Sequence, residues 1–392
     1  MATILIVFAK EVLENLRDRR TLASALIMGP IFAPAVLAFM INLSITRSIE
    51  DVERILELPA VGQEQAPNLV SYLRSRNIDV INYPHGRASA IEAVKAGDHD
   101  IVLVIPGDFG EQLASTVPAK IELVSDLANT QADRDARRVR NALREYSQEL
   151  GNVRLLARGI DPAVLVPLNI DELDVSTPSG RSGMLLGMMS YFFVFATLMG
   201  GMYLAIDATA GERERGSLEP LLSLPVTRAQ LILGKIAATC LFMALSLTLS
   251  LLSFYVALKF MPLEQLGMTP NFGPKVVFAA FLLFAPFILL GASIMTLVAS
   301  FTKSYREAQT WLSVVLFAPT MPIFIVSILT LRPKLEFMFV PSLSQHLLLV
   351  DIVKNEPVNN VHVMISVVST LFFGALLTWI CARLYRREGL LG

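Results

Sequence analysis

The 392-residue chain is 54% hydrophobic and 17% charged, with a formal net charge of −1. Soluble domains are nearer one quarter charged, so the composition points to a membrane protein. The near-neutral balance excludes nucleic acid as the main partner, because phosphate binding needs a basic surface.

The first element is ILIVFAKEVLENLRDRR, residues 4–20. Ile4, Val7, Phe8, Val12, Leu13 and Leu16 recur at helical spacing, with Lys10, Glu11, Glu14 and Arg17 on the other face. That pattern predicts a helix lying in the membrane interface. A spanning helix needs about 20 mainly apolar residues. Six segments qualify: about 22–44, 183–206, 229–258, 276–300, 310–330 and 362–384. The first is too long and lacks the cleavage site of a secretory signal, so it reads as an uncleaved anchor.

Residues 45–181 hold 21 acidic and 15 basic residues, a net of −6, and are domain-sized. DIVLVIP (100–106), AKIELVSD (119–126) and NIDV followed by INYP read as strands; residues 66–76 and 87–97 read as helices. A long helix follows at about 130–159. Its narrow apolar seam (Ala132, Ala136, Val139, Leu143, Tyr146, Leu150, Val153, Ala157) is flanked by Arg134, Arg137, Arg138, Arg140 and Arg144. This helix either packs on its own domain, meets a second copy, or offers arginines to an anion. The segment DPAVLVPLNIDELDV is expected to return to the membrane as a strand. The domain contains no cysteine, so its core must hold it together.

Between the second and third spans lies GERERGSLEPLLSLPVTR, residues 211–228. Ser217 is placed to cap a short helix starting at Leu218, with Glu219 favouring its N-terminus and Pro225 ending it. Thr227 and Gln230 form a capping-box pattern that opens the third span. Leucines beside acids and arginines suit a docking element. Further on, Pro319 and Pro322 predict a break in the fifth span. The stretch EFMFVPSLSQHLLLVDIVKNEP then gives two apolar pieces too short to span, separated by Pro341 and read as a re-entrant segment at about 337–354.

Lys and Arg flank the spans unevenly. Lys10, Arg17, Arg19 and Arg20, then Arg213, Arg215 and Arg228, then Lys303 and Arg306, then Arg383, Arg386 and Arg387 fall on one side if there are six spans. The facing loops carry Lys259 and Lys275, and Arg332, Lys334 and Lys354. The positive-inside bias therefore puts both termini in the cytoplasm and the 45–181 domain outside, in a multi-pass inner-membrane protein. The expected fold is α-helical with six transmembrane helices and an extracytoplasmic α/β domain inserted between helices 1 and 2. Its divisions are 1–44, 45–181 and 182–392.

No P-loop, H-E-x-x-H or G-x-S-x-G motif occurs, so no catalytic residue or cofactor is assigned to this chain. Cys240 and Cys381 lie inside apolar runs and read as buried hydrophobes. His85, His99, His346 and His362 have no ligand spacing, so no metal site is expected. The spans carry no internal carboxylate, with Asp207 at one end of the second and Asn42 at the other end of the first, which argues against an ion-coupled carrier.

The 211–228 module resembles the pattern E-x-E-x-G-[ST]-L-E-x-L-L-x-x-P-[VL]-[ST]-R of type-two ABC-transporter permeases. It matches at Glu212, Glu214, Gly216, Ser217, Leu218, Glu219, Leu221, Leu222, Pro225, Val226, Thr227 and Arg228, with Gly234 and Lys235 also fitting. The outer domain after span one and the loop SFTKSYREAQTW (300–311) are similar to the sodium-efflux, NatB-like branch. The resemblance implies a homodimer, or a pair of similar permeases, bound to two copies of a separate ATPase that holds ATP and Mg. It also implies that residues 212–228, with the N-terminal helix, are the ATPase-coupling element, and that the half-helices near 337–354 form an outer gate. For substrate it implies Na+ efflux, whereas the apolar, carboxylate-free spans suit a peptide, drug or lipid-like molecule. A reading of another class is a ligand-sensing membrane scaffold.

Overall fold

The computed structural model describes residues 2–115, 117–165, 168, 173, 178–217, 220, 225–261, 263–266, 268–269, 271–329 and 334–385. Leu218, Glu219, Leu221, Leu222, Arg332, Arg386 and Arg387 lie outside the described residues. The chain divides into two compact units, residues 1–45 with 175–392, and residues 46–174.

Among the described residues of the first unit, six helices are long and apolar enough to cross a membrane: Ala25–Leu43, Gly187–Glu214, Arg228–Lys259, Pro274–Phe301, Tyr305–Val326 and Asn360–Leu384, here spans one to six. Span two is the most enclosed, with 72% of its apolar window buried against 17% for span one, so the bundle is built around span two. Phe193 of span two meets Phe254 of span three and Phe284 of span four edge-on. Span one starts in a π-helical stretch, Ser24–Phe32, that accommodates Pro30 within a helix. Span five breaks as its prolines require: helix Tyr305–Phe317 stops, Ala318–Thr320 turn, and a second helix runs Met321–Leu329 with Pro322 in its first turn.

Helix α1 (Ala2–Arg17) packs along span three. Its buried positions are Val7, Glu11 and Asn15, one turn apart, while Leu13 and Leu16 are exposed. The expected division of its faces is corrected here. Glu11 points inward because it has a buried cation to meet; of the expected apolar face Val7 is buried, Phe8 and Val12 pack against the bundle, and Leu13 and Leu16 are exposed.

The second unit is a three-layer α/β sandwich. Strands β1 (Leu56–Val61), β2 (Ile78–Asn82) and β3 (Ile101–Val104) are parallel, β4 (Glu122–Ser125) is antiparallel to β3, and the order is β2-β1-β3-β4. Helices α2 (Pro67–Ser75) and α5 (Thr130–Ala157) cover one face through Leu69, Leu73, Ala136 and Val139. Helix α3 (Arg87–Ala96) covers the other through Ala90 and Val94 against Val102 and Val104. Helix α4 (Phe109–Ala114) follows β3. The expected return strand is not formed among the described residues. Pro162–Leu165 make a 3-10 turn, with Asp161 accepting from the Ala163 amide, and most of the rest of that segment, 166–167, 169–172 and 174–175, lies outside the described residues.

After span five, a 3-10 turn, Leu335–Phe339, precedes helix α6 (Leu343–Lys354). These are the two short pieces expected around Pro341. Ser342 joins them at φ 70°, ψ −48°, a sparsely populated geometry for a residue with a Cβ. It is held by a capping box with Gln345 and by Ser342 Oγ donating to the Pro319 carbonyl at the break in span five (2.5 Å).

Candidate functional site

The site begins where span two stops being purely apolar. Its last turns pass through a π-helical stretch, Asp207–Gly211, and end at Gly216. The Ser217 amide donates to the Glu212 carbonyl and the Gly216 amide to the Arg213 carbonyl, both at 3.0 Å, with Gly216 at φ 69°. That double bond over a left-handed glycine is a Schellman stop. The Ser217 hydroxyl donates to the Glu212 carbonyl at 3.2 Å, so in this structure Ser217 closes the helix behind it.

Four successive charged residues then take four different partners. Glu212 is 4% exposed; its Oε2 accepts from Lys235 Nζ of span three at 2.6 Å, and its Oε1 from Lys10 Nζ of α1 at 2.9 Å. Arg213 donates to the carbonyls of Ser300 (3.0 Å) and Thr302 (2.8 Å), capping the C-terminal end of span four. Glu214 accepts the Tyr305 amide at 2.6 Å, capping the N-terminal end of span five. Arg215 turns back to Asp207 of span two at 2.8 Å.

Behind Glu212 lies a buried ion cluster. Lys235 is 2% exposed and donates to Glu11 at 3.1 Å, Glu212 at 2.6 Å and the Ala208 carbonyl at 2.6 Å, using all three ammonium protons. Lys10 bonds Glu11 at 3.1 Å and Glu14 at 3.2 Å as well as Glu212. Partial burial pulls the Lys10 ammonium down. The hydrogen bond to Glu212 and the charges of Glu11 and Glu212 outweigh it, so its pKa stands above that of an ordinary lysine. The neighbouring Gly234 permits the approach. A Cβ there would sit 2.7 Å from the Val7 side chain and 3.1 Å from the Ile4 carbonyl.

Of the residues singled out in the sequence, the structure brings Glu212, Glu214, Gly216 and Ser217 together at the end of span two. Arg228 opens span three behind the Thr227–Gln230 capping box, and Pro225 is exposed just before it. The expected helix from Leu218, with Glu219, Leu221 and Leu222, falls outside the described residues. Sequence reasoning missed Glu11 and assigned no role to Lys235. The available signal was a lysine inside an apolar run, which needs a counter-ion when buried.

Residues 19–383 match the family model described as ABC-2 family transporter protein. The chain belongs to the ABC-2 family. This ABC-2 chain is also 28% identical over 353 residues to the ABC transporter permease protein NatB of Bacillus subtilis (strain 168), covering 87% of each chain. It is therefore a multi-pass ABC-transporter permease subunit, and the charged run sits at one end of its span bundle.

Proposed function

We propose that this permease forms the translocation path of an ATP-driven exporter, and that residues 212–228 carry the motion of a separate ATPase chain into it. The observation that supports this reading most is the division of labour in the charged run. Glu212 through Arg215 bond α1, span three, span four, span five and span two itself, so a push on the adjoining segment reaches all of them. Rigid-body tilting of packed helices is a known form of such coupling. In this scheme both termini are cytoplasmic. Two ATPase copies bind ATP and Mg, a second permease copy completes the path, and the short half-helices near 337–354 close its outer end.

The test is co-purification with the ATPase and its ATP turnover. A Glu219→Arg, Leu221→Arg double variant is expected to lose both. Unaltered binding and turnover would reject the coupling assignment.

For the substrate, the NatB-like branch makes Na+ the first ion to test. A second reading, a peptide, drug or lipid-like molecule, is favoured by the chemistry of the span interiors. Their buried polar groups include Ser190, Thr197, Thr239, Ser246, Ser293 and Thr296, hydroxyls that largely bond their own helix backbone. Vesicles loaded with radioactive sodium or with hydrophobic dyes separate the two. A scaffold that senses a ligand would move neither, and would keep its function when the ATPase is deleted.

A further inference from the structure

Helix α6 is a buried half-helix pinned through its first turn. Gln345 donates to Thr370 of span six at 2.9 Å, and Ser366 of span six donates to Ser344 at 2.8 Å. Toward span two there is one polar contact among the described residues, between His346 Nδ1 and Ser190 Oγ at 2.5 Å. His346 is 4% exposed and Ser190 is fully buried. The surroundings are apolar: Leu347, Leu348 and Val353 of α6 belong to the bundle core, and Gly187 of span two lies against Val350 and the His346 ring.

Proton bookkeeping fixes the state of this pair. Ser190 Oγ has one proton, and the Gly187 carbonyl at 2.7 Å can only accept it. His346 Nδ1 is then the donor to Ser190 Oγ, and the neutral ring carries its free lone pair at Nε2. A proton arriving at Nε2 makes an imidazolium that needs a counter-ion. The elements packed against α6 bring Tyr191 of span two, Lys275 of span four, Lys334 and Glu336 at the 3-10 turn and His362 of span six to this end of the bundle, and Met321–Leu329 brings none. On α6 itself stand Asp351 and Lys354, followed by Glu356. None of them bonds His346 among the described residues, and burial is what takes its pKa from the ordinary 6.5 down to about 4. A charged ring is therefore at odds with this position, and the strained backbone at Ser342 is the point about which the first turn of α6 can move.

We propose that the His346–Ser190 pair is a proton-sensitive latch, which holds α6 against span two while the imidazole is neutral and lets go when it is protonated. Once released into water the ring returns to its ordinary value. The latch is thus complete above about pH 6.5 and weakens as the pH falls toward 4. Going from about pH 8 to about pH 5.5 multiplies the ratio of released to latched protein by roughly ten. Asp351 works in the opposite sense: its carboxyl is raised by burial, so acid tightens its packing and cannot mimic the release. The latch involves α6 and span two alone. It is read without an ATPase or a substrate, so its failure and that of the exporter reading are distinguishable.

The test uses the full chain in detergent micelles, in a Cys240→Ala, Cys381→Ala background. Val353→Cys puts a thiol of similar size on the buried face of α6, and the exposed Asn360→Cys, in a separate protein, is the control. Dithiodipyridine labels both at about pH 8 and about pH 5.5, and each Val353→Cys rate is divided by the control rate at the same pH. The quotient is expected to rise roughly tenfold on acidification. Adding His346→Asn, which keeps a donor near the Nδ1 position and takes up no proton, should leave it flat. Adding Ser190→Ala, which removes the acceptor, should raise it already at pH 8. A flat quotient in the Val353→Cys protein would overturn the latch. So would an unchanged rise with His346→Asn, or a Ser190→Ala quotient equal to its parent at pH 8.

Discussion

Replacing Lys235 by Met removes the centre of the ion cluster while keeping most of the side-chain volume. The three bonds lost are those to Glu11 (3.1 Å), Glu212 (2.6 Å) and the Ala208 carbonyl (2.6 Å), all around a side chain 2% exposed. Breaking a buried pair by removing one partner costs roughly 3–5 kcal/mol, mainly because the other charge stays buried. Here Lys10 still reaches both Glu11 and Glu212 from a position 44% exposed to water, so the loss is placed at the lower end, about 3 kcal/mol. Adding Glu212→Gln leaves Glu11 as the one buried glutamate of the cluster, still paired with Lys10, and the double variant is expected to be more stable than Lys235→Met alone. Unfolding in mixed micelles with increasing SDS, followed by circular dichroism, gives both differences. A Lys235→Met protein within about 0.5 kcal/mol of the parent, or a double variant whose losses simply add, would refute the cluster as a source of stability.

Gly234→Ala should cost about 1–3 kcal/mol through overpacking against Val7, and Val7→Ala in the same chain should recover part of it, read by the same titration. Ser342→Ala removes a capping-box hydroxyl and the bond to the Pro319 carbonyl, so a loss of about 1–2 kcal/mol is expected, with thermal unfolding in detergent as the check. Desolvation, and next the charge of Glu356, raise the Asp351 carboxyl above its usual range. A carboxylate raised in the folded state loses stability as pH climbs past its unfolded value of about 3.9. Asp351→Asn should therefore match the parent below that pH and exceed it above, by a margin that levels off once the pH passes the folded value; thermal stability across pH 3–8 measures this.

The six spans were legible because each is a long apolar run, and the domain between the first two because its composition shifts abruptly. Strand β1 was not. LELPAV contains Pro59, and a proline argues against a central strand. The structure tolerates it because the groups of Leu56 and Ala60 bond toward β2, so the missing N–H of Pro59 faces β3, where pairing starts at Ala60. The Glu11–Lys235 pair was hidden for a different reason. Helical periodicity assigns charges to the wet face, and the partner that reverses this for Glu11 lies 224 residues away. Glu212 and Glu214 were singled out from the motif, and the structure places them at the end of span two. What they touch could not be read from it, since Lys10 and Tyr305 are distant in the chain.

The Glu212–Arg215 run also acts as a ruler. Glu212, Arg213 and Glu214 are each aimed about 100° from the last by the helix they ride on, and each meets a different neighbouring helix, while Arg215 turns back to Asp207. One residue inserted after Gly211 would rotate all four aims at once, turning Glu212 away from its lysines and Arg213 away from the carbonyls it caps. The segment from Gly211 to Ser217 is thus bound to its length more tightly than to most of its side chains, and a single-codon insertion there should damage the bundle more than any one substitution within it.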